Sequence, residues 1–116
     1  LLIGDLNEIQ NLSEKEGGNP RPPQYMQAFQ QAIDDCDLRD MGYVGDGYTW
    51  QRGRIRERLD RGLINESWSQ LYPHAALENK FYSHSDHRPV LVDTEFYVQN
   101  TNVAGGGEKI RSKMAA

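Results

Sequence analysis

The hydrophobic positions near the two ends of the chain are arranged as in β-strands. Residues 1–3 are all apolar and run into Gly4 and Asp5, which is typical of a buried strand that brings polar residues to a sheet edge. Residues 90–98 alternate instead between apolar and polar side chains. The apolar members that share one face of this segment are Val90, Val92, Phe96 and Val98. Both patterns predict strands.

A helix is predicted over residues 23–36, after a loop over residues 10–23 that is rich in Asn, Gly and Pro. Proline is tolerated in the first turn of a helix, so Pro23 can begin it. The apolar side chains recur at helical spacing and form one stripe, consisting of Met26, Phe29, Ile33 and Cys36. This stripe assigns Cys36 to the buried side of the helix.

Shorter patterns predict the remaining elements. Extended segments are expected at 38–43, 48–50, 58–64 and 75–80, and a helix capped by Asn65 is expected at 65–71. Helices and strands therefore alternate along the chain. We predict an α/β fold with a mostly antiparallel sheet and flanking helices, and with the 23–36 helix packed on one sheet face.

Composition narrows the class of protein. The chain has 116 residues and a formal net charge of −4, which suits one domain and excludes a generally basic nucleic-acid coat. Its apolar runs are only a few residues long, whereas a membrane span needs about 20. A single cysteine excludes an internal disulfide framework and indicates a reducing compartment. We therefore expect no membrane association and an intracellular location, nuclear or cytoplasmic.

Three short polar groups carry candidate chemistry, and none of them is specific on its own. Asp5 and Asn7 follow a strand two residues apart, so both side chains can activate water and stabilise an oxyanion, or they can form an Asx turn. Asp60 lies between Arg58 and Arg61 and can equally form a surface salt bridge. His84 and His87 have the spacing of a metal pair, but the absence of further soft ligands argues against zinc.

Four blocks occur in a fixed order, each near a predicted strand end: residues 4–7 (Gly-Asp-Leu-Asn), 48–50 (Tyr-Thr-Trp), 58–61 (Arg-Leu-Asp-Arg) and 85–87 (Ser-Asp-His). As a set they resemble the endonuclease/exonuclease/phosphatase superfamily of metal-dependent phosphodiesterases. The apurinic-type endonuclease domain of plant LINE-like retroelements, a domain associated with reverse transcriptase, is more similar still and shares a Glu-Lys-x-Gly-Gly block, here residues 14–18. The resemblance covers residues 1–96.

The resemblance implies a role for each matching residue. Asp5 matches the aspartate that orients or deprotonates the attacking water, and Asn7 matches the asparagine that stabilises the transition state. His87 matches the histidine that contacts the scissile phosphate, and Asp60 matches the carboxylate that orients this histidine. Asp86 matches an aspartate close to the metal, which is Mg²⁺ by resemblance. These side chains should meet at one end of the sheet, with Asp60 about 3 Å from a ring nitrogen of His87. Thr49 and Trp50 are candidates either for supporting the catalytic side chains from behind or for packing, and packing is favoured for Trp50.

The chain departs from this family in one large respect. The first half of the superfamily fold supplies a metal-binding asparagine and glutamate and half of a two-sheet sandwich, and no match to that half is found here. We therefore expect residues 1–98 to be the C-terminal half of such an α/β sandwich, residues 99–116 to be a disordered tail, and a longer gene product to supply the missing half. Neither Glu8 nor Asp86 clearly replaces the absent glutamate. The chain alone should have little or no activity.

A local basic segment suggests how nucleic acid could bind. The arginines of the segment between residues 52 and 61 are Arg52, Arg54, Arg56, Arg58 and Arg61. They can contact the phosphate backbone of DNA or RNA, or they can belong to a solvated hairpin. Two functions remain open: a fragment of an Mg²⁺-dependent endonuclease that hydrolyses phosphodiester bonds, and a noncatalytic retroelement remnant with weak nucleic-acid affinity.

Overall fold

Short strands and three helices make up the part of the chain that the computed structural model describes, residues 1–81 and 85–101. The strands are β1 (Leu2–Asp5), β2 (Lys15–Glu16), β3 (Arg39–Asp40), β4 (Val44–Gly45), β5 (Trp50–Arg52), β6 (Ile55–Glu57), β7 (Asp60–Ile64), β8 (Ala76–Asn79) and β9 (Val90–Asp93). The α-helices are α1 (Pro23–Asp35), α2 (Glu66–Leu71) and α3 (Phe96–Thr101), and a 3₁₀ helix spans Leu12–Glu14. The predicted α/β class is confirmed.

The strands form three sheets of three strands, in the orders β1-β7-β3, β2-β6-β5 and β4-β8-β9. All of their pairings are antiparallel except that of β4 with β8. The mostly antiparallel prediction therefore holds, although the strands are divided among three small sheets. In the first sheet the register places Asp5 directly opposite Asp60.

Helix α1 packs through the predicted stripe, except at its end. Met26 and Ile33 are buried, and Met26 joins Ile9 and Leu59 in one core cluster against which Trp50 packs. The interpretation of Cys36 as buried is wrong, because its side chain is exposed. Cys36 is the residue that caps the helix, and the chain turns away directly after it through a left-handed residue, so the helical period no longer applies there.

A second core cluster joins β7 to the third sheet. It contains four buried residues, Met41, Ile64, Ala75 and Leu77, and Trp68 of α2 packs against it. The predicted cap of α2 is confirmed, since the Asn65 side chain accepts a hydrogen bond from the Trp68 N–H at 2.8 Å. Burial of these apolar side chains is the main force that holds β7, β8 and α2 together.

Strand β1 is not buried as the sequence pattern suggests. Leu2 is 50% exposed and Ile3 is 41% exposed. The reason is its place in the sheet: β1 pairs with β7 along one edge, and no strand among the described residues pairs with its other edge. Apolar content predicts a strand, but the neighbours of that strand decide its burial.

The strand predicted over residues 90–98 ends at Asp93, and α3 begins at Phe96. The Asp93 side chain accepts a hydrogen bond from the Glu95 N–H at 2.9 Å, which turns the chain and stops the alternation. Phe96 is buried from the helix rather than from a strand. Most of the predicted tail, residues 102–116, lies outside the described residues. Within the described residues, none of the helices has the length and apolar character that a membrane crossing requires.

Candidate active site

Asp60 and His87 form the closest contact of the candidate site. Asp60 begins β7 and its side chain is nearly buried, whereas His87 is about one-third exposed. The Oδ2 atom of Asp60 lies 2.8 Å from the Nδ1 atom of His87. The separation of about 3 Å that we expected between these groups is confirmed. A carboxylate at this position holds the ring in one orientation and favours the tautomer whose proton is on Nδ1.

Asp5 lies on the other side of the imidazole. Its Oδ2 atom is 3.7 Å from the Nε2 atom of His87. Because Asp5 and Asp60 are opposed in the register of β1 and β7, their side chains project from the same face of the sheet. One ligand atom from each of the three residues lies within 4.8 Å of the others. The imidazole is therefore flanked by two carboxylates at one end of the first sheet.

Asn7 forms the turn that follows Asp5. Its backbone N–H donates to Asp5 Oδ1 at 2.8 Å, and its φ of 55° is left-handed. The Asx turn considered above therefore exists, but it uses only Oδ1 and leaves Oδ2 facing the histidine. The Asn7 side chain is exposed, and within the described residues it forms no hydrogen bond to Asp60 or His87. The structure brings its backbone to the site and leaves its amide free to turn toward a ligand.

Thr49 does more than pack. It is fully buried, and its hydroxyl accepts hydrogen bonds from the N–H groups of Leu59 at 3.0 Å and Asp60 at 2.9 Å. Its carbonyl accepts the Arg88 N–H, next to His87. Thr49 thus links the strand that carries Asp60 to the segment that carries His87. Its place in the Tyr-Thr-Trp block was the available signal, but a threonine between two aromatics does not reveal which backbone groups it will bond.

The neighbouring arginines do not pair with Asp60. Arg58 donates to Glu14 at 3.0 Å and to Asp40 at 2.8 Å, and Arg61 donates to the same two carboxylates at 2.9 Å each. The surface salt bridge considered for Asp60 is therefore wrong. Arg58 is also buried, so the prediction that it contacts a nucleic-acid phosphate does not hold. Side chains alternate along β7, which directs Arg61 to the opposite face from Asp60, whereas Arg58 precedes β7 and is turned toward Glu14 and Asp40.

The buried ion network shifts two pKa values. Burial alone would raise the pKa of Asp40, but the hydrogen bond and charge of Arg58, the Gly42 N–H and the charge of Arg61 together lower it below its ordinary value. Burial alone would lower the pKa of Arg58, and its bonds to Asp40 and Glu14 raise it instead. The Asp40–Arg58 pair therefore stays ionised, and the bonds of Arg58 and Arg61 to Glu14 hold the 3₁₀ segment against β7.

Asp86, expected near a metal, forms an exposed ion pair with Arg52 at 2.8 Å. Arg56 pairs with Glu16, and Arg54 is exposed at the β5–β6 turn. Of the four arginines predicted to bind nucleic acid, three therefore remain on the surface, and two of these already have an acidic partner. Asp86 does not belong to the group formed by the two flanking carboxylates and the histidine.

The described residues do not by themselves fit the Mg²⁺ that the resemblance implies. Mg²⁺ prefers six oxygen ligands in octahedral geometry, and imidazole nitrogen is not a typical ligand for it. Asp60 is bonded to His87, and one oxygen of Asp5 is bonded to the Asn7 N–H. Glu8 is held by its neighbour's N–H and by Arg21. Among the described residues, Asp5 therefore offers the site Oδ2, and Asp60 offers only the oxygen that does not bond to His87.

Comparison of the chain with protein-family models finds no match, and neither the curated proteins nor the solved structures include a significant one.

Proposed function

We propose that this chain carries the phosphate-contacting and proton-transferring residues of a phosphodiesterase that acts on nucleic acid. The observation that carries the proposal is the position of His87 between two carboxylates, 2.8 Å from Asp60 and 3.7 Å from Asp5. The order of the four sequence blocks and their resemblance to the endonuclease/exonuclease/phosphatase superfamily also support it.

The chemistry follows from the two ring nitrogens of His87. When Nδ1–H donates to Asp60, the Nε2 atom faces Asp5 and solvent. A protonated Nε2 can donate to an oxygen of the scissile phosphate and stabilise the charge that develops there. Asp5 Oδ2 can orient a water beside that phosphate and accept its proton. Asp60 touches neither and serves to orient the imidazole.

The metal of this reaction is not assigned to the described residues, because they offer too few oxygen ligands. By resemblance, the glutamate and asparagine that bind the metal in the superfamily would complete such a site. This same shortage of ligands favours the second candidate function, a noncatalytic module that retains weak affinity for nucleic acid. The surface arginines of the β5–β6 hairpin, Arg52, Arg54 and the half-buried Arg56, would provide the contacts to the nucleic-acid backbone in either case.

Cleavage assays separate the two functions. We expect the 116-residue chain alone to show no Mg²⁺-dependent cleavage of plasmid or abasic duplex DNA. The same chain joined to the N-terminal half of a complete superfamily member should cleave, and His87→Ala should abolish that activity. His74→Ala is the matched control, because His74 is exposed and does not belong to the group of Asp5, Asp60 and His87.

Each outcome has a distinct meaning. Cleavage by the joined protein that survives His87→Ala would contradict the catalytic role of the histidine. No cleavage in the joined protein, together with DNA binding by the hairpin, would establish the noncatalytic module. Strong cleavage by the chain alone, lost in His87→Ala, would show that our description of the metal ligands is wrong, and Asp86 or Glu8 would be tested first.

A further inference from the structure

Arg21 lies outside the blocks that carry the resemblance, yet its guanidinium contacts the turn after β1. It belongs to the loop between β2 and α1. Its Nε atom donates to Glu57 Oε1 at 2.7 Å, and its Nη1 atom donates to the Asn7 carbonyl at 3.4 Å. The same Nη1 is 3.6 Å from Glu8 Oε1. One planar group therefore spans the distance from β6 to the turn that follows Asp5.

The backbone of Asn7 needs such support. Its φ of 55° is in the left-handed region, which is unfavourable for residues with a Cβ atom, although asparagine tolerates it better than most. Such conformations persist where the surroundings hold them on several sides. Here the N–H of Asn7 is bonded to Asp5 and its carbonyl is bonded to Arg21. Both peptide groups of the residue are held.

The conformation of this turn determines where the Asp5 carboxylate lies. Oδ1 of Asp5 accepts the Asn7 N–H, and this bond directs Oδ2 toward Nε2 of His87 at 3.7 Å. We propose that Arg21 is a positioning residue that holds the Asn7 carbonyl and so keeps Asp5 oriented toward His87. The inference rests on the proposed function, in which Asp5 and His87 are the reacting groups.

The surroundings of Arg21 suit this role. Prolines on both sides, Pro20 and Pro22, restrict the backbone from which the side chain extends. The hydrogen bond to Glu57 raises the pKa of Arg21, and the charge of Glu8 adds to this effect, so the side chain stays charged. Glu57 also lies 3.8 Å from the ammonium of Lys15, so it keeps a cationic partner when Arg21 is shortened. A lysine at position 21 would keep the charge but could not span Glu57 and the Asn7 carbonyl with a planar fork.

NMR on the isotopically labelled 116-residue chain tests the proposal without requiring catalysis. We expect Arg21→Lys to shift the backbone resonances of Asn7, the carboxyl carbon of Asp5 and the ring resonances of His87. Arg39→Lys is the matched control, because Arg39 is exposed on β3, at the opposite edge of the first sheet from β1. It should leave all three groups of signals unchanged.

A titration with inorganic phosphate, followed at the His87 ring, adds a functional measurement. Arg21→Lys should weaken phosphate binding by about threefold to tenfold, the scale of one hydrogen bond. Arg39→Lys should bind as the unmodified chain does. If the unmodified chain binds no phosphate while Arg21→Lys still shifts the Asn7 and Asp5 signals, the proposed function fails and the positioning of Asp5 by Arg21 stands.

The proposal is overturned if Arg21→Lys lowers the urea midpoint but leaves the Asn7, Asp5 and His87 signals unchanged in the native protein, because this would indicate a structural role only. Should Arg21→Lys fail to fold, Glu57→Gln is the deciding variant, since it weakens the anchor of Arg21 and keeps the arginine. It should shift the Asn7 signals in the same direction by a smaller amount. Unchanged Asn7 signals in Glu57→Gln would also overturn the proposal.

Discussion

Asp60 and Arg61 are consecutive residues of β7, yet their side chains belong to different parts of the molecule. Asp60 bonds to His87 at 2.8 Å, and Arg61 bonds to Glu14 and Asp40 at 2.9 Å. Successive side chains of a strand point to opposite faces, so these two neighbours take different partners. One short block thereby supplies two separate roles. The arginine anchors the strand in a buried ion network, and the aspartate on the other side orients the imidazole.

The first prediction concerns the two members of the Asp60–His87 pair. In the protein joined to the N-terminal half of a superfamily member, His87→Ala should lower kcat by at least about 10²-fold, because it removes the group that we propose contacts the phosphate. Asp60→Asn should lower kcat by less, since an amide oxygen can still accept the Nδ1–H and hold the ring. Single-turnover cleavage rates measure both. A larger loss in Asp60→Asn than in His87→Ala would contradict the assignment of Asp60 as an orienting group.

The second prediction concerns the hydroxyl of Thr49. Thr49→Val removes the acceptor of two buried N–H groups, those of Leu59 and Asp60. Leaving both unpaired should lower the free energy of unfolding by about 2 kcal/mol or more. Thr49→Ser keeps the oxygen and should lose less than about 1 kcal/mol. Urea denaturation compares the two variants, and equal stability of the valine and serine proteins would show that these hydrogen bonds contribute little.

The third prediction concerns the buried arginine of the network. Arg61 has no exposed surface, and its removal leaves Arg58 as the cationic partner of Glu14 and Asp40 within the described residues. Arg61→Ala should therefore lower the free energy of unfolding by about 3–5 kcal/mol. Arg39→Ala, at an exposed arginine, should change it by less than about 0.5 kcal/mol. A loss below about 1 kcal/mol for Arg61→Ala would mean that the network is not a significant source of stability.

The fourth prediction is a dependence of stability on acid. The pKa of Asp40 is lower in the folded protein than its ordinary value. At mildly acidic pH the folded protein therefore binds fewer protons at Asp40 than the unfolded chain does, and acid favours unfolding. This contribution is complete above about pH 4, the ordinary value for aspartate, and decreases as the pH falls toward the folded pKa. Unfolding free energies measured between pH 6 and pH 3 should fall less steeply in Asp40→Asn than in the unmodified chain. Equal slopes would contradict the shift at Asp40.

Elements that depend on local periodicity were predictable from the sequence. The helical spacing of Met26 and Ile33 and the cap at Asn65 correspond to α1 and α2 of the structure. The segment at 75–80 contains β8. These patterns succeed because helix and strand repeats and caps involve residues close together in the chain. The nearness of Asp60 to His87, 27 residues apart, came instead from a resemblance between ordered motifs.

Only the tertiary structure decided which partner each charged side chain takes. Arg58 and Arg61 pair with a glutamate 44 and 47 residues earlier in the chain, and no local pattern specifies contacts over such separations. The exposure of β1 depends on which strands lie beside it. The burial of Thr49 depends on the elements that surround it. The sequence alone determined most helices, most strands and the residues able to do chemistry. Long-range packing decided which of these residues face the imidazole and which stabilise the fold, because side-chain partners are selected by burial and by the strand register.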